Sequence, residues 1–368
     1  MWRRLIEYAK HMDWIMLAAV FLLLAFGLVE IYSVSLGRGE SDIAMFKKQL
    51  AMILIGLGLM FFIAFNDYHW LRSFGNYFYI LAIISLVLVL FFGRTINGTK
   101  GWFYIGGFGG QPVEFVKFAL ILFLARYFSA VSFRASTIKH LIVTGLSTLF
   151  LFFLVMRQPD FGSAMLLFVL WVIIILSAGL SKKYIFVLVG IMAILFVGAW
   201  GFYFKDYQKQ RVLTFFNPSF DPLDQGYNVA QAIIAVGSGG LTGRGVGFGS
   251  QSQLKFLPES QTDFIFAVVA EELGFLGVGL VFLFFAVFFY RCIASLKQAN
   301  NDFATLYILG VIGLIFVEMF VNIGMNIGIL PVVGIALPFI SYGGSAAVIN
   351  LIMVGVLQSI IIRSRMSY

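Results

Sequence analysis

Eight charged side chains lie inside or at the edges of otherwise apolar stretches of this chain: Glu30, Glu114, Lys117, Asp160, Asp263, Glu271, Glu272 and Glu318. A charge at the centre of a membrane helix costs roughly 2.5–3.5 kcal/mol even on a lenient insertion scale, so each needs a partner, a helix end or a chemical role. Glu114 and Lys117 stand at i and i+3 on one helical face, which suits a structural ion pair and a ligand-binding pair equally well. Asp160 follows Gln158-Pro159 and opens a helix, where the N-terminal dipole favours an acid. Glu271 and Glu272 are neighbours two turns into a span, so one is expected to face a polar interior and the other a loop. Asp263 has two readings. Ser260-x-x-Asp263 has the form of a capping box before Phe264, and the same carboxylate at a membrane surface could accept a substrate proton. A helix N-terminus lowers its proton affinity, burial beside Phe264, Ile265 and Phe266 raises it, and the sequence leaves that contest open.

The elements that must hold these groups are membrane helices. The chain has 368 residues, 61% hydrophobic and only 11% charged, with a mean hydropathy of +0.97. This is the composition of an all-α polytopic integral membrane protein. Windows of about 20 apolar residues fall near 14–33, 48–65, 71–92, 112–130, 139–156, 161–180, 184–204, 264–290, 303–327 and 343–362. They predict about ten transmembrane helices in a single domain, 1–368, with one large extracytoplasmic loop, 205–263, between helices 7 and 8. The first window reads as a retained span rather than a cleaved signal. Basic residues concentrate in the loops that face one side, which places both termini in the cytoplasm and the long loop outside. The formal charge of +8 is thereby explained by topology, and nucleic acid is not expected as a partner. One Cys and three scattered His argue against a disulfide framework and a zinc centre.

Within the loop, 227–236 is apolar but half a span long, and reads as a short amphipathic or re-entrant helix. The glycine-rich stretch that follows lacks the order of a phosphate loop and a preceding strand, so no nucleotide cofactor is expected. A backbone nest for an anion, aided by Arg211, Arg244 and Lys255, and a plain linker are both compatible with it. Gly324-x-x-x-Gly328 reads as helix packing.

Asn322-x5-Gly328-Ile329-x-Pro331-x-x-Gly334-Ile335, continuing into Phe339-Ile340-Ser341-Tyr342-Gly343-Gly344-Ser345-Ala346, resembles the signature of the SEDS family (shape, elongation, division and sporulation proteins). Gln111-Pro112-x-Glu114-Phe115-x-Lys117, Gln158-Pro159-Asp160-x-Gly162, Asp221-Pro222-x-x-Gln225-Gly226-Tyr227 and Leu257-Pro258-Glu259-x-x-Thr262-Asp263-Phe264 join it in the family's order. Gly237-Ser238-Gly239-Gly240 and Gln251-Ser252-Gln253-Leu254 are similar to the family's elongation branch.

The resemblance implies a peptidoglycan glycosyltransferase of the bacterial cytoplasmic (inner) membrane. It would polymerise lipid II into undecaprenyl-linked glycan strands at the outer face and release undecaprenyl diphosphate. It implies Asp263 as the essential carboxylate and general base. The substrate-binding candidates are Glu114, Lys117, Asp160, Arg211, Arg244 and Ser341, with Lys117, Arg211 and Arg244 neutralising the diphosphate. A divalent cation, Mg²⁺ or Mn²⁺, is a compatible helper. The implied partners are a class B penicillin-binding protein transpeptidase, the elongation machinery and membrane lipid. The alternative is a lipid II flippase or transporter whose path the intramembrane charges would line.

Overall fold

The computed structural model describes residues 2–36, 40–96, 98–105, 108–131, 137–179 and 225–366, with isolated positions between 180 and 224. The expected span 184–204, Arg211 and the first part of the long loop lie outside the described residues. Every other expected span coincides with a helix. A short amphipathic helix, α1 (Trp2–His11), precedes α2 (Trp14–Leu36), α3 (Glu40–Phe65) and α4 (Tyr68–Phe92). Then come α5 (Pro112–Ala130), α6 (Thr137–Met156) and α7 (Phe161–Ser177). The second half holds α8 (Gln225–Ser238), the one-turn α9 (Ser250–Gln253), α10 (Ile265–Leu296), α11 (Asp302–Asn326) and α12 (Gly344–Met366). Seven helices among the described residues are long and apolar enough to cross a membrane.

The all-α expectation needs one correction. Between α4 and α5 the chain forms a three-stranded antiparallel sheet in the order β1 (Arg94–Ile96), β2 (Thr99–Ile105), β3 (Phe108–Gly110). The segment is too short and too polar to span, and its Thr, Ile, Trp, Phe and Tyr content suits a pleated surface. Ile96 pairs with Thr99 across the first turn, where Gly98 takes φ +79°.

Small residues set the helix spacing. A methyl at Gly355 on α12 would meet the Met60 carbonyl of α3 at 2.7 Å, and one at Gly56 on α3 would lie 3.2 Å from Val348 Cα. α11 seats against α5 and α7 through Gly310, facing Ile121, and Gly313, facing Ile173. Without a hydrophobic drive between helices in lipid, such close approach supplies the packing energy.

Helix α10 is two helices joined at Gly274, whose φ of 63° and ψ of −162° break the ladder. The glycine-rich stretch repairs the break. Arg244 and Gly245 donate their N–H groups to the carbonyls of Glu271 and Glu272, while Phe275 and Leu276 donate to the carbonyls of Gly240 and Leu241. Apolar surroundings oblige every such group to find a partner within the protein. A Cβ at Gly239 would come within 1.8 Å of the Ala270 carbonyl oxygen, so glycine is required there.

The expectation that Glu271 and Glu272 face different surroundings also needs correction: both are fully buried and both turn to this stretch. Glu271 accepts from the Gln251 N–H at 2.8 Å and the Ser252 N–H at 3.2 Å. Glu272 accepts from the Gly247 N–H at 3.0 Å and from Ser33 Oγ of α2 at 2.5 Å. The chain is therefore no loose linker, and these N–H groups serve the protein's own carboxylates. Consecutive carboxylates share one stretch of chain because its N–H groups from Gly247 to Ser252 span both of them.

Candidate active site

Four helices begin at one end of the bundle around a common space: α5 after Gln111, α7 after Asp160, α10 after Phe264, and α12 at Gly344. Their N-terminal dipole ends make this region favourable for anions. The space is a cavity of about 460 Å³ bordered by Asp160, Asp263, Glu259, Lys48, Trp102 of β2 and Tyr342. A second, smaller cavity of about 120 Å³ runs deeper, from Asp263 to Glu114, Lys117 and Glu318. Asp263 borders both.

The backbone around Asp263 is fixed from α11. Asn322 and Asn326 each donate a side-chain N–H to the Asp263 carbonyl, at 3.0 and 2.9 Å. Asn326 Oδ1 accepts from the Ala267 N–H at 3.1 Å, and Asn322 also donates to the Ile335 carbonyl at 2.8 Å. One helix thus holds both loops that meet at the cavity, the 257–264 turn and the 327–343 segment. Ser341 and Tyr342 complete the weld. The Ser341 hydroxyl donates to the Thr262 carbonyl at 2.7 Å and accepts from the Leu337 N–H at 2.8 Å, and the Tyr342 N–H donates to the Gln261 carbonyl at 2.8 Å. Gly334 takes φ +72°, and a Cβ built there would lie 3.6 Å from Asp263 Oδ2. The N-cap of α10 is Phe264, without a side-chain cap, and Asp263 stands one residue before it in the wall of both cavities.

Asp160 does cap its helix: Oδ1 accepts from the Ser163 N–H at 3.0 Å. Its other oxygen accepts from Gln111 Nε2 at 3.4 Å. Burial pushes its carboxyl above the ordinary range, against the lowering effect of the Ser163 bond and of Lys117. Lys117 is held between Glu114, at 2.7 Å, and Glu318 of α11, at 2.5 Å. Glu318 lies 201 residues from Lys117 in the chain, so sequence spacing exposed only half of this triad. Two carboxylates against one ammonium more than balance its charge. Arg244 donates to Ser250 Oγ at 2.8 Å and borders neither cavity. The structure therefore gathers Asp263, Asp160, Glu114, Lys117 and Ser341, and leaves Arg244 aside.

Sequence reasoning missed Lys48, Glu259 and Trp102. No local pattern marks Lys48 as a site residue. Trp102 sits in the strand alternation that also predicts the sheet.

What the fold and site define is a helical, multi-pass membrane protein with a carboxylate-lined cavity where helix N-termini converge. Residues 13–366 match the family model described as "Cell cycle protein", that of FtsW, RodA and SpoVE; the chain belongs to this family. It is 38% identical over 353 residues to the peptidoglycan glycosyltransferase MrdB of Escherichia coli K12, covering 95% of this chain and 93% of that one. It is 36% identical to stage V sporulation protein E of Bacillus subtilis, covering 95% and 96%. Among solved structures, a chain of a peptidoglycan synthase complex that coordinates polymerization and crosslinking superposes with a TM-score of 0.82 at 27% identity, covering 96% of this chain and 98% of that one. The rod shape determining protein RodA of Thermus thermophilus superposes with a TM-score of 0.71 at 26% identity, covering 97% and 98%.

Proposed function

We propose that this protein is a peptidoglycan glycosyltransferase that polymerises lipid II during cell elongation. The observation that carries the reading is the placement of Asp263, on a backbone clamped by two asparagines, in the wall of a cavity where four helices present their N-termini. The cavity lies at the end of the bundle opposite the chain termini. With cytoplasmic termini in the inner membrane, it opens at the outer face, where lipid-linked precursor and growing strand would meet.

In the reaction the 4-hydroxyl of the acceptor sugar attacks the anomeric carbon of the donor. The new C–O bond forms as the bond to the diphosphate breaks, with inversion and no covalent enzyme intermediate. The hydroxyl becomes acidic only as that bond forms, so Asp263 accepts its proton late, as a general base. The diphosphate leaves without a strong acid if its charge is neutralised. Arg211 remains a candidate for that task. Lys117 is a weaker one, being enclosed by Glu114 and Glu318; its triad fixes the floor of the inner cavity instead. Ser341 acts through the loops it joins.

A divalent cation fits the donor set in one way. No three ligating side chains converge among the described residues, so there is no protein cage there. Mg²⁺ and Mn²⁺ commonly bind one or two carboxylates together with substrate phosphates. Asp160 and Asp263 are the residues that would hold such an ion, which would supply charge neutralisation at the diphosphate. A class B penicillin-binding protein is the proposed partner, in keeping with the synthase complex that this chain resembles. The flippase reading is not favoured, because the intramembrane triad is consumed by mutual pairing.

The test is polymerisation of labelled lipid II by purified protein with its partner and Mg²⁺ or Mn²⁺. Asp263→Asn should lower the rate by about 10²–10⁴-fold, the usual worth of a positioned base, with unchanged thermal unfolding. A folded Asp263→Asn protein that still polymerises would sink the assigned role.

A further inference from the structure

A diphosphate donor needs positive charge around it, and the wall of the larger cavity holds, among the described residues, one cationic side chain that can supply part of it. The 460 Å³ cavity is bordered by three acids, Asp160, Glu259 and Asp263, and, among the described residues, by one basic side chain, Lys48. The helix face that presents it is regular: Met45, Lys48, Gln49 and Met52 of α3 follow i, i+3, i+4 and i+7, and all four border the cavity,. Lys47, one position earlier, is exposed and does not. Both lysines lie near the start of the apolar stretch Ile43–Phe65, which is long enough to cross a membrane, and the helical phase turns Lys48 alone to the cavity.

Its position is fixed through its neighbour. Gln49 Oε1 accepts from the Gly343 N–H at 3.1 Å, and Gln49 Nε2 donates to the Ser341 carbonyl at 3.4 Å. The same segment is welded to the Asp263 loop by Ser341 and Tyr342. The base of Lys48 is therefore registered against Asp263, while its long stem leaves the ammonium free to follow a ligand. Lys117 contrasts with it, since two carboxylates already take its charge.

We infer that Lys48 is the cation that holds the diphosphate of the lipid-linked donor in this cavity, with the N-terminal ends of α5, α7 and α12 framing the same anion. This rests on the glycosyltransferase reading. As the sugar–diphosphate bond breaks, charge accumulates on the leaving oxygen, and a nearby ammonium gains strength at that moment.

The experiment compares wild type, Lys48→Met, Lys48→Arg, Lys47→Met and Asp263→Asn in lipid nanodiscs. Two quantities are read: kcat/KM for lipid II polymerisation with the partner present, and equilibrium binding of undecaprenyl diphosphate against undecaprenol. Loss of a charge-assisted hydrogen bond predicts a fall in kcat/KM of about 10- to 100-fold for Lys48→Met and a comparable weakening of undecaprenyl diphosphate binding. Undecaprenol binding should not change, and Lys48→Arg should recover most of the loss. Lys47→Met removes the same topology charge and should stay within about twofold of wild type. The inference is overturned if Lys48→Met binds the diphosphate like wild type, or if Lys47→Met is equally impaired. If wild type makes no polymer, the glycosyltransferase reading fails on its own; binding of undecaprenyl diphosphate that depends on Lys48 then still supports the site, and binding that ignores Lys48 still removes it.

Discussion

The two ends of the helix bundle treat their acids in opposite ways. At the end where the termini meet, Asp13 is 2% exposed and fully matched. Arg291 of α10 donates to both its oxygens at 2.6–3.0 Å, Arg365 of α12 approaches at 3.4 Å, and the Met16 N–H adds a cap at 3.1 Å. Gln358 closes the backbone around it by donating to the Asp13 carbonyl and accepting its N–H. Helices α2, α10 and α12 are bolted together there with little left over for a ligand. At the other end, Asp160, Glu259 and Asp263 border a cavity whose one basic side chain among the described residues is Lys48, and helix N-termini add positive potential. A closed network of this kind resists motion; an open cavity ringed by helix N-termini invites a charged ligand. The same helices run through both ends, so rigidity at one supports precision at the other.

The triad between the ends tests how far charge matching alone sustains the site. Lys117→Met would leave Glu114 and Glu318 buried without a cation, which should cost about 3–5 kcal/mol. The protein should show a large drop in thermal midpoint and folded yield in detergent. Changing Glu114 and Glu318 to Gln in the same chain should recover most of that stability. If Lys117→Met is as stable as wild type but inactive, the lysine is a ligand-binding group and the matching argument fails.

At the closed end the expected effect is smaller and of another kind. Asp13→Asn would leave Arg291 and Arg365 without their carboxylate, but these arginines are partly exposed, at 23% and 27% of their side chains. Water can then take part of the charge, and we expect a loss of about 2 kcal/mol rather than the full penalty of a buried pair. Unfolding in detergent measures the first part of the contrast. Polymerisation per folded molecule, which should equal that of wild type, measures the second. A fall in kcat/KM at constant folded fraction would show that the ends are coupled through more than shared helices.

How much of this was legible in the sequence depends on the range of the interaction. Helix positions follow from local hydropathy, and the expected windows within the described residues coincide with helices accordingly. Asp263, Asp160 and the Glu114–Lys117 pair were visible because each stands in a short motif or at i,i+3 spacing. Glu318, as the third member of the triad, and Lys48, as a wall of the cavity, were not. Glu318 meets Lys117 across 201 residues of chain, Lys48 shares the cavity wall with Asp263 from a similarly distant part of the sequence, and only the packing of α3 and α11 brings them there. The sheet after α4 was legible but passed over: Asn97-Gly98 lies between β-branched and aromatic residues, a recognised hairpin signal. The pairing of both Glu271 and Glu272 with one stretch could not be read locally, because helical periodicity does not show that a glycine-rich segment folds back over both of them. Gly274 itself carries no mark that separates it from the many glycines that merely pack.

The smallest expected effect belongs to the exposed charges of the closed end, and it sets the baseline for the comparison. Asp67 caps α4 by accepting from the His69 N–H at 2.9 Å, and it meets Arg363 at 3.5 Å with 59% of its side chain exposed. Partial burial acts to raise its carboxyl, but the His69 N–H and ring, together with Arg363, prevail and hold it below the usual value of 3.8. A carboxyl lowered by folding contributes stability that is present above its unfolded value and is lost as pH falls through the folded one. Asp67 should therefore add a shallow acid-side dependence below about pH 4. Asp67→Asn keeps an acceptor for the cap and removes the charge, so unfolding at pH 7 should change by no more than about 0.5 kcal/mol, and the acid-side slope should flatten. A loss approaching that of Asp13→Asn would mean that this exposed group belongs to the bolt after all, and that the closed end extends to the α4 cap through Arg363.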